Sequence, residues 1–506
     1  MESYHDVFIP AEDIYHLSGP QAFKEFGGKD GHRNLMVISF GIVDKLKERC
    51  GEGDQDTLNH LRSVSKRSPV VERGQQVTVF RISDNLDLAS IDTDDDRRGV
   101  DYTSLEQRVR NMLATDQKPA IITSQPDLDF KLTSQGLRVE GPNFLMVGPD
   151  IINEGLIKGS TALQTALYQN GCQISLERAM DIFRDDLYMH QFIYFDGGDF
   201  ARVVGDYVKN KSKTRIVDVA NSHVAMLSGH EKGKQLKIGS AQFDHVLGVK
   251  PLDMEQYLAL QFGLLNPDVE MMFLCGGAGS GKTVLSYVSA VAQVLHYNSA
   301  ERKRRDWGER GGLYDRIVLL KPIEIVGGKR RDVGFLPGPL YDKIKQHLKS
   351  YEDAHKISAL AKFPFEEMFL HPKYPNDFGK IRAGGEDRKV DGAWLSPKSE
   401  VIELTYSGFL RGRSFQDVIV IVDEAQNFTP YEMKTIIERL GPGCKIIITG
   451  DAYGQLDNPL CTKEINGLTH SVKEFLPYHY SCVVPLTRLY RSQAAEDAAN
   501  WSGVYQ

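Results

Sequence analysis

Cysteine is scarce and scattered in this sequence. Six residues in 506 carry it, Cys50, Cys172, Cys275, Cys444, Cys461 and Cys482, with no C-x-x-C among them. That spacing argues against a zinc framework and for a reducing compartment. No H-E-x-x-H occurs, which removes a common metalloprotease signature. Long apolar runs are missing too: stretches such as Val418–Val422 have the length of core strands, far below a membrane span. The start, MESYHDVF, is polar and acidic and has no secretory pattern, so the expected location is cytoplasmic, with no membrane partner. There is no basic excess: 61 Lys and Arg stand against 68 Asp and Glu, a net charge of −7. Any nucleic-acid binding must therefore come from local patches. What remains is an ordinary globular composition, 41% apolar and 25% charged, in a chain long enough for about three domains.

Against that plain background, Cys275–Val284 reads CGGAGSGKTV. The apolar segment Met271–Leu274 precedes it and Leu285–Leu295, with helical apolar spacing, follows it. Strand, glycine-rich loop and helix are the context of a phosphate-binding loop, G-x-x-x-x-G-K-[ST]. Its residues are Gly276, Gly277, Ala278, Gly279, Ser280, Gly281, Lys282 and Thr283. Glycines let backbone N–H groups close around a phosphate, and the next helix adds its N-terminal dipole. In such a loop Lys282 reaches the β- and γ-phosphates and Thr283 ligates Mg²⁺, which makes ATP and Mg²⁺ the expected cofactors. The spacing of Gly277, Gly279 and Gly281 does not suit a dinucleotide-binding fold.

Other stretches fit the same chemistry. Val418–Gln426, VIVIVDEAQ, is an apolar strand ending in two acids. Asp423 is the candidate for holding Mg²⁺, and Glu424 for orienting or deprotonating the attacking water. Cys444–Ile448 is a further apolar strand, ending at Thr449-Gly450-Asp451, with Gln455 four residues on as a candidate sensor of the γ-phosphate. Arg488 and Arg491 precede a small-residue helix, and an arginine there is placed to act as a finger on transition-state charge. Gln256, in a helix beginning at Asp253, lies twenty residues before the loop. It is either an adenine-reading amide or a polar helix residue. Glu301–Arg331 carries ten Lys and Arg against five Asp and Glu, with Trp307 and Tyr314 interleaved. That pattern fits either a single-strand track or a solvated loop. Between its charges Ile317–Leu320 is a strand, and Asp332–Gly338 is a Gly/Pro-punctuated loop.

Residues 1–150 alternate strands (Val7–Ile9, Leu35–Ile38, Val77–Ile82, Ala120–Thr123, Leu137–Glu140) with helices (Ile42–Arg49, Thr57–Lys66, Thr103–Ala114, Leu128–Ser134). An acidic loop, Asp84–Asp101, interrupts them with seven acids and two arginines. This implies a small α/β domain with a mostly parallel sheet. Order and pattern resemble a PIN domain, whose strand-end acids bind divalent metal, Mn²⁺ or Mg²⁺, for phosphodiester cleavage. Asp44 and Asp101 stand at two of the four acidic places. The other two read Pro10-Ala11-Glu12-Asp13 and Thr123-Ser124-Gln125, so a live site requires Glu12 or Asp13 as a substitute. An active ribonuclease and a domain that binds without cutting both remain open. Residues 151–248 show no catalytic constellation. Ser175–Tyr194 looks like an amphipathic helix, Lys209–Lys213 a basic turn and Gly229–Lys234 a polar hairpin or linker. The segment reads as a connector with a small antiparallel β unit.

Residues 249–506 resemble the PhoH-like ATPase family, relatives of superfamily 1 helicase cores. The runs VKPLDMEQ, GGAGSGKT, DVGFLPG, GFLRGRSF, VDEAQNFTPYEMKTIIERLGPGCKIIITGD, QLDNP and LYRSQAAEDAA carry the resemblance. With the front domain the whole resembles the PIN–PhoH fusion type. The implied fold is α/β: a PIN-like domain at 1–150, a connector at 151–248, and a RecA-like P-loop NTPase at 249–506. The resemblance implies ATP-dependent RNA unwinding joined to ribonuclease activity, single-stranded RNA as partner, and a ring-shaped homo-oligomer with a hexamer among its forms. It assigns Lys282, Asp423, Glu424, Gln455 and Arg491 to catalysis. Arg411 and Arg413, in LRGRSF, become candidates for RNA or a neighbouring subunit's nucleotide. Two features depart from the family: Lys321 stands before Pro322 where Arg is usual, and Glu301–Tyr314 is inserted. An ATP-set RNA-binding switch and an ATPase acting on a protein partner are the competing readings.

Overall fold

The computed structural model describes residues 7–11, 13–14, 17, 34–38, 70–72, 75–81, 102–113, 118–142, 146–209, 215–227, 236–238, 241–295, 313–322, 348–362, 364–369, 388–390, 393–395, 401–406, 413–454, 456–492, 494 and 497. It separates into two compact units, one built mainly from residues 1–147 and the other from residue 148 onward.

The first unit is an α/β sheet of six strands: β1 (Val7–Pro10), β2 (Asn34–Ile38), β3 (Val70–Glu72), β4 (Gln75–Arg81), β5 (Ala120–Ile122) and β6 (Arg138–Glu140). Their order is β3-β4-β2-β1-β5-β6, parallel throughout except for β3, which pairs antiparallel with β4. The short β3 has no counterpart in the sequence reading; the expected helices at 42–49 and 57–66 lie outside the described residues. Apolar, β-branched runs explain the centre of the sheet: Val7 and Ile9 of β1 and all three residues of β5 are buried. Helices α1 (Tyr102–Leu113) and α2 (Pro126–Ser134) flank β5 in sequence. Strand order reverses at β1, and the strand ends beside such a reversal form a crevice suited to ligands. Asp13 sits there, buried, and both its oxygens are taken. Thr123 Oγ1 donates to Oδ1 at 3.1 Å, while Ser124 N and Oγ donate to Oδ2 at 2.6 and 2.8 Å. Burial raises the Asp13 pKa despite these bonds.

In the second unit, a five-stranded sheet fills most of what the sequence suggests as a connector. Its strands are β7 (Leu156–Lys158), β8 (Gln173–Ser175), β9 (Phe192–Tyr194), β10 (Phe200–Val204) and, after a hairpin of β11 (Tyr207–Lys209) and β12 (Arg215–Val217), β13 (His223–Leu227). The order is β7-β9-β10-β13-β8. In β10 the side chains alternate, with Ala201 and Val203 buried and their neighbours half-buried, the period of a strand packed on one face. Helices α3 (Thr161–Gln169) and α4 (Leu176–Phe183) begin at serine caps, Ser160 accepting from Leu163 N and Ser175 from Arg178 N. The single helix expected over Ser175–Tyr194 is not formed. α4 stops where Arg184 turns left-handed at φ 60°, and Phe192–Tyr194 is a strand. Most buried side chains of this sheet and its helices form a core of their own, while Phe192 and Leu227 pack into the core of the C-terminal region.

Beyond a second hairpin, β14 (Leu236–Ile238) with β15 (Ala241–Phe243), come α5 (Met254–Leu258), β16 (Met271–Gly276), α6 (Lys282–Leu295), β17 (Ile317–Lys321) and α7 (Lys349–Ile357). A third hairpin, β18 (Arg388–Val390) with β19 (Ala393–Leu395), precedes β20 (Ile402–Tyr406), β21 (Ile419–Val422), β22 (Lys445–Gly450) and β23 (Ser481–Leu486). The main sheet runs β20-β17-β21-β22-β16-β23 and is wholly parallel. Continuous apolar runs such as IVIV in β21 and SCVVPL in β23 are buried from end to end, as strands of a parallel sheet covered on both faces must be. One buried charge is built in: Lys445, opening β22, donates from Nζ to the carbonyls of Gly263, Leu264 and Asn266, and burial lowers its pKa to about 7. Among the described residues no helix is long and apolar enough to cross a membrane, and all five described cysteines are free.

Candidate nucleotide-binding site

The loop joining β16 to α6 is Gly277–Gly281. It turns through Gly279 and Gly281 at φ 93° and 96°, values that L side chains rarely adopt. Ser280 fixes the turn, its N and Oγ both donating to the Gly277 carbonyl at 3.2 and 2.9 Å. The α6 ladder begins at once, with Leu285 N donating to Gly281 O at 2.9 Å. The N-terminus of α6 therefore faces the loop, as an anion site requires. Lys282 is buried and folds back, its Nζ donating to the carbonyls of Gly276 and, at 3.0 Å, Gly277.

Two further segments brace the loop. Gln256, buried in α5, donates from Nε2 to Ser280 O at 3.0 Å and accepts at Oε1 from Leu252 N at 2.9 Å. Both ends of the amide proposed to read adenine are thus engaged, one by the phosphate loop itself. Reading a base through it would require exchanging one of these bonds. From the end of β23 a strap, residues 487–491, crosses the loop. Thr487 N and Oγ1 donate to the Glu255 carboxylate at 2.7 and 2.6 Å, Tyr490 Oη to Asp253 at 2.5 Å, and Tyr490 N to Gly279 O at 2.9 Å. The strap lays Arg491 on Gly279: a Cβ there would fall 2.5 Å from Arg491 Nε.

The acids come from β21. One strand, β22, separates it from β16, so acids and loop open at the same C-terminal edge of the sheet. Asp423 is 2% exposed. Its Oδ1 accepts from Thr449 Oγ1 at 2.6 Å, and its Oδ2 pairs with Lys321 Nζ at 2.7 Å. Burial alone would raise its pKa. The charge and hydrogen bond of Lys321, the Thr449 hydroxyl and the charge of Lys282 outweigh that and hold it below the ordinary carboxylate value. Glu424 adopts the left-handed conformation, φ 55° and ψ 47°, rare for a glutamate and typical of strain kept at a functional turn. Gln426 clamps it, donating from Nε2 to Glu424 Oε2 at 2.7 Å while accepting at Oε1 from Asp451 N at 3.1 Å. Gln426, Thr449 as the partner of Asp423, and the strap anchors Thr487 and Tyr490 carry no motif that announces these roles; only the Q of DEAQ lies close enough to the acids to be suspected from the pattern.

Thr283, on the first turn of α6, and Asp423 offer a hydroxyl and an ionised carboxylate, the hard oxygen donors that Mg²⁺ takes. The residues fit the metal, and when bound it would draw charge from the phosphate oxygens. No cluster of three or more His, Cys, Asp or Glu forms a separate metal centre among the described residues. Gln455, Asp44, Asp101 and Arg411 lie outside those residues. Arg413 belongs to the fold itself: it pairs with Glu403 of β20 at 2.5 Å and lies over the Phe415 ring, while Arg316 holds the other oxygen of Glu403 at 2.9 Å.

A phosphate loop, a strand-end acid pair and a parallel sheet with one strand between them define a P-loop NTPase fold that binds nucleotide. Residues 248–496 match the family model described as PhoH-like protein, so this region of the chain is PhoH-like. It is 32% identical over 257 residues to Protein PhoH2 of Bacillus subtilis, covering 51% of this chain and 48% of that one. It is 25% identical over 366 residues to Protein PhoH2 of Thermobispora bispora, covering 72% and 71%. The match thus spans about half the length of the Bacillus relative. Among solved structures the Pif1 helicase of Candida albicans shares 14% identity over 49% of this chain and 42% of that one, at a TM-score of 0.21, too low an overlap to carry an argument.

Proposed function

We propose that this protein hydrolyses ATP with Mg²⁺ and couples the hydrolysis to binding and remodelling of single-stranded RNA. The observation that supports it best is the convergence of Lys282, Asp423, Glu424 and Arg491 at one sheet edge, the first three held by named partners and Arg491 lying against Gly279 of the loop. In this reading Lys282 leaves the Gly276 and Gly277 carbonyls for the β- and γ-phosphates. Asp423 holds the metal side of the site, Glu424 takes the proton of the attacking water, and Gln455 reports the γ-phosphate. Arg491 neutralises charge on the transferring group. RNA would run along the basic, aromatic-bearing stretch Glu301–Arg331, and a ring-shaped homo-oligomer would enclose it. The decisive experiment is steady-state ATP hydrolysis with and without single-stranded RNA. Several-fold stimulation is expected; hydrolysis indifferent to RNA would favour an ATPase acting on a protein partner.

The position of Arg491 bears on how subunits cooperate. Because it lies on the phosphate loop of its own chain, it acts in cis. Arg491→Ala should slow turnover on the order of 10³-fold. Mixing Arg491→Ala with Lys282→Ala subunits should restore nothing. Recovery of activity at any mixing ratio would place the arginine in a neighbour's site instead.

A second reading concerns the N-terminal unit. Asp13, the substitute acid for a PIN-like metal site, has both oxygens bonded to Thr123 and Ser124. That favours a PIN-like domain that binds RNA without cutting it, and makes the whole an ATP-driven binder.

A further inference from the structure

Lys321 closes β17 and reaches the catalytic acid. Its Nζ lies 2.7 Å from Asp423 Oδ2, and its side chain is 14% exposed against 3% for the aspartate. The other oxygen, Oδ1, is fixed by Thr449. In this structure, therefore, neither oxygen of the metal-binding acid is open: one faces a neutral hydroxyl inside the sheet and the other a cation at the rim. A buried carboxylate needs a counter-charge, and here the counter-charge is a side chain that can leave. A lysine ammonium is a point charge on a flexible stem and makes one contact with Oδ2, unlike the two-pronged grip of a guanidinium.

Tyr351 of α7 completes the arrangement. Its ring lies 5.2 Å from Lys321 Nζ, within cation–π range. Its hydroxyl is fully buried, with the Asp423 carboxylate and Ser286 as its polar neighbours. Burial first, then the charges of Asp423 and Glu424, keep that phenol well above its ordinary pKa, so it holds its proton. If Lys321 withdrew, Oδ2 would be the oxygen released, since Oδ1 stays with Thr449.

We propose that Lys321 is a displaceable counter-ion that closes Asp423 to divalent metal until nucleotide arrives, so that metal enters only together with nucleotide. The proposal rests on the reading of Asp423 as the metal-binding acid. Lys321 is a positioning residue in this scheme, acting through Asp423.

The test is Mn²⁺ binding by the full-length chain, followed by the free-Mn²⁺ paramagnetic resonance signal with and without ADP. Without nucleotide, wild type should bind Mn²⁺ only weakly. Lys321→Met should bind it at least tenfold more tightly, and a Lys321→Met/Asp423→Asn double variant should lose the gain. If Lys321→Met binds Mn²⁺ no better than wild type while Asp423→Asn loses Mn²⁺·ADP, the counter-ion role is overturned and the acid's assignment stands. If Asp423→Asn binds Mn²⁺·ADP as wild type does, both fall. Should Lys321→Met fail to fold, Lys321→Arg carries the test. Its guanidinium should grip Asp423 harder and weaken Mn²⁺·ADP binding several-fold, and an unchanged affinity overturns the proposal.

Discussion

Lys282→Ala should lower the rate of ATP hydrolysis by at least about 10²–10³-fold, the cost of losing one preorganised stabiliser of transition-state charge. The structure makes the loss specific. Lys282 is buried at the first turn of α6, and its ammonium is held by the Gly276 and Gly277 carbonyls. The charge is thus stored inside the loop where phosphate oxygens would arrive, and little rearrangement is needed to deliver it. It also helps keep Asp423 ionised, so its removal weakens two parts of the site at once. The loop itself should survive. Its turn is set by Gly279, Gly281 and the Ser280 bonds to Gly277 O, none of which involves the lysine side chain. Hydrolysis should be measured beside a thermal melt. A variant that melts as wild type does and turns over ATP at the wild-type rate would remove Lys282 from the mechanism.

The parts of this site legible in the sequence are those written in a short, continuous stretch. The phosphate loop is eight residues with a strand before and a helix after, and glycine is required where φ turns positive, so pattern and geometry coincide. The acids at the end of β21 are legible because a buried parallel strand leaves an unbroken apolar run that must stop where the polar edge begins. What holds these groups in place comes from far away. Thr449 reaches Asp423 across 26 residues, and Thr487 and Tyr490 reach Glu255 and Asp253 across more than two hundred. Single threonines and tyrosines carry no periodic signal. Lys321 was visible only as a departure from the family pattern; its pairing with Asp423 depends on β17 lying beside β21. The connector was hardest to read, since several of its strands are three residues long and show too little alternation to separate strand from helix. The helix at Ser175 ends earlier than its apolar spacing suggests because the stop is Arg184 in a left-handed turn, a position usually marked by glycine.

Glu424→Gln should leave nucleotide binding within a few-fold of wild type while lowering turnover by about 10²–10⁴-fold, the range for removing a general base. The substitution is nearly isosteric, and the local geometry shows why it should be tolerated. Glu424 is held in its left-handed turn, and its Oε2 accepts from Gln426 Nε2. A glutamine can offer its carbonyl oxygen to the same donor, so the clamp through Gln426 to the Asp451 amide persists. Asp423 keeps Thr449 and Lys321, and Lys282 keeps the loop carbonyls, so the groups proposed to bind phosphate and metal are untouched. Only the ability to accept a proton is lost. Binding of a fluorescent ATP analogue and steady-state hydrolysis, measured on the same preparation, separate the two effects. Retained binding with lost turnover assigns the proton to Glu424. Wild-type turnover would move that role to another group, and Asp451, whose amide is tied to Glu424 through Gln426, would be the next to replace.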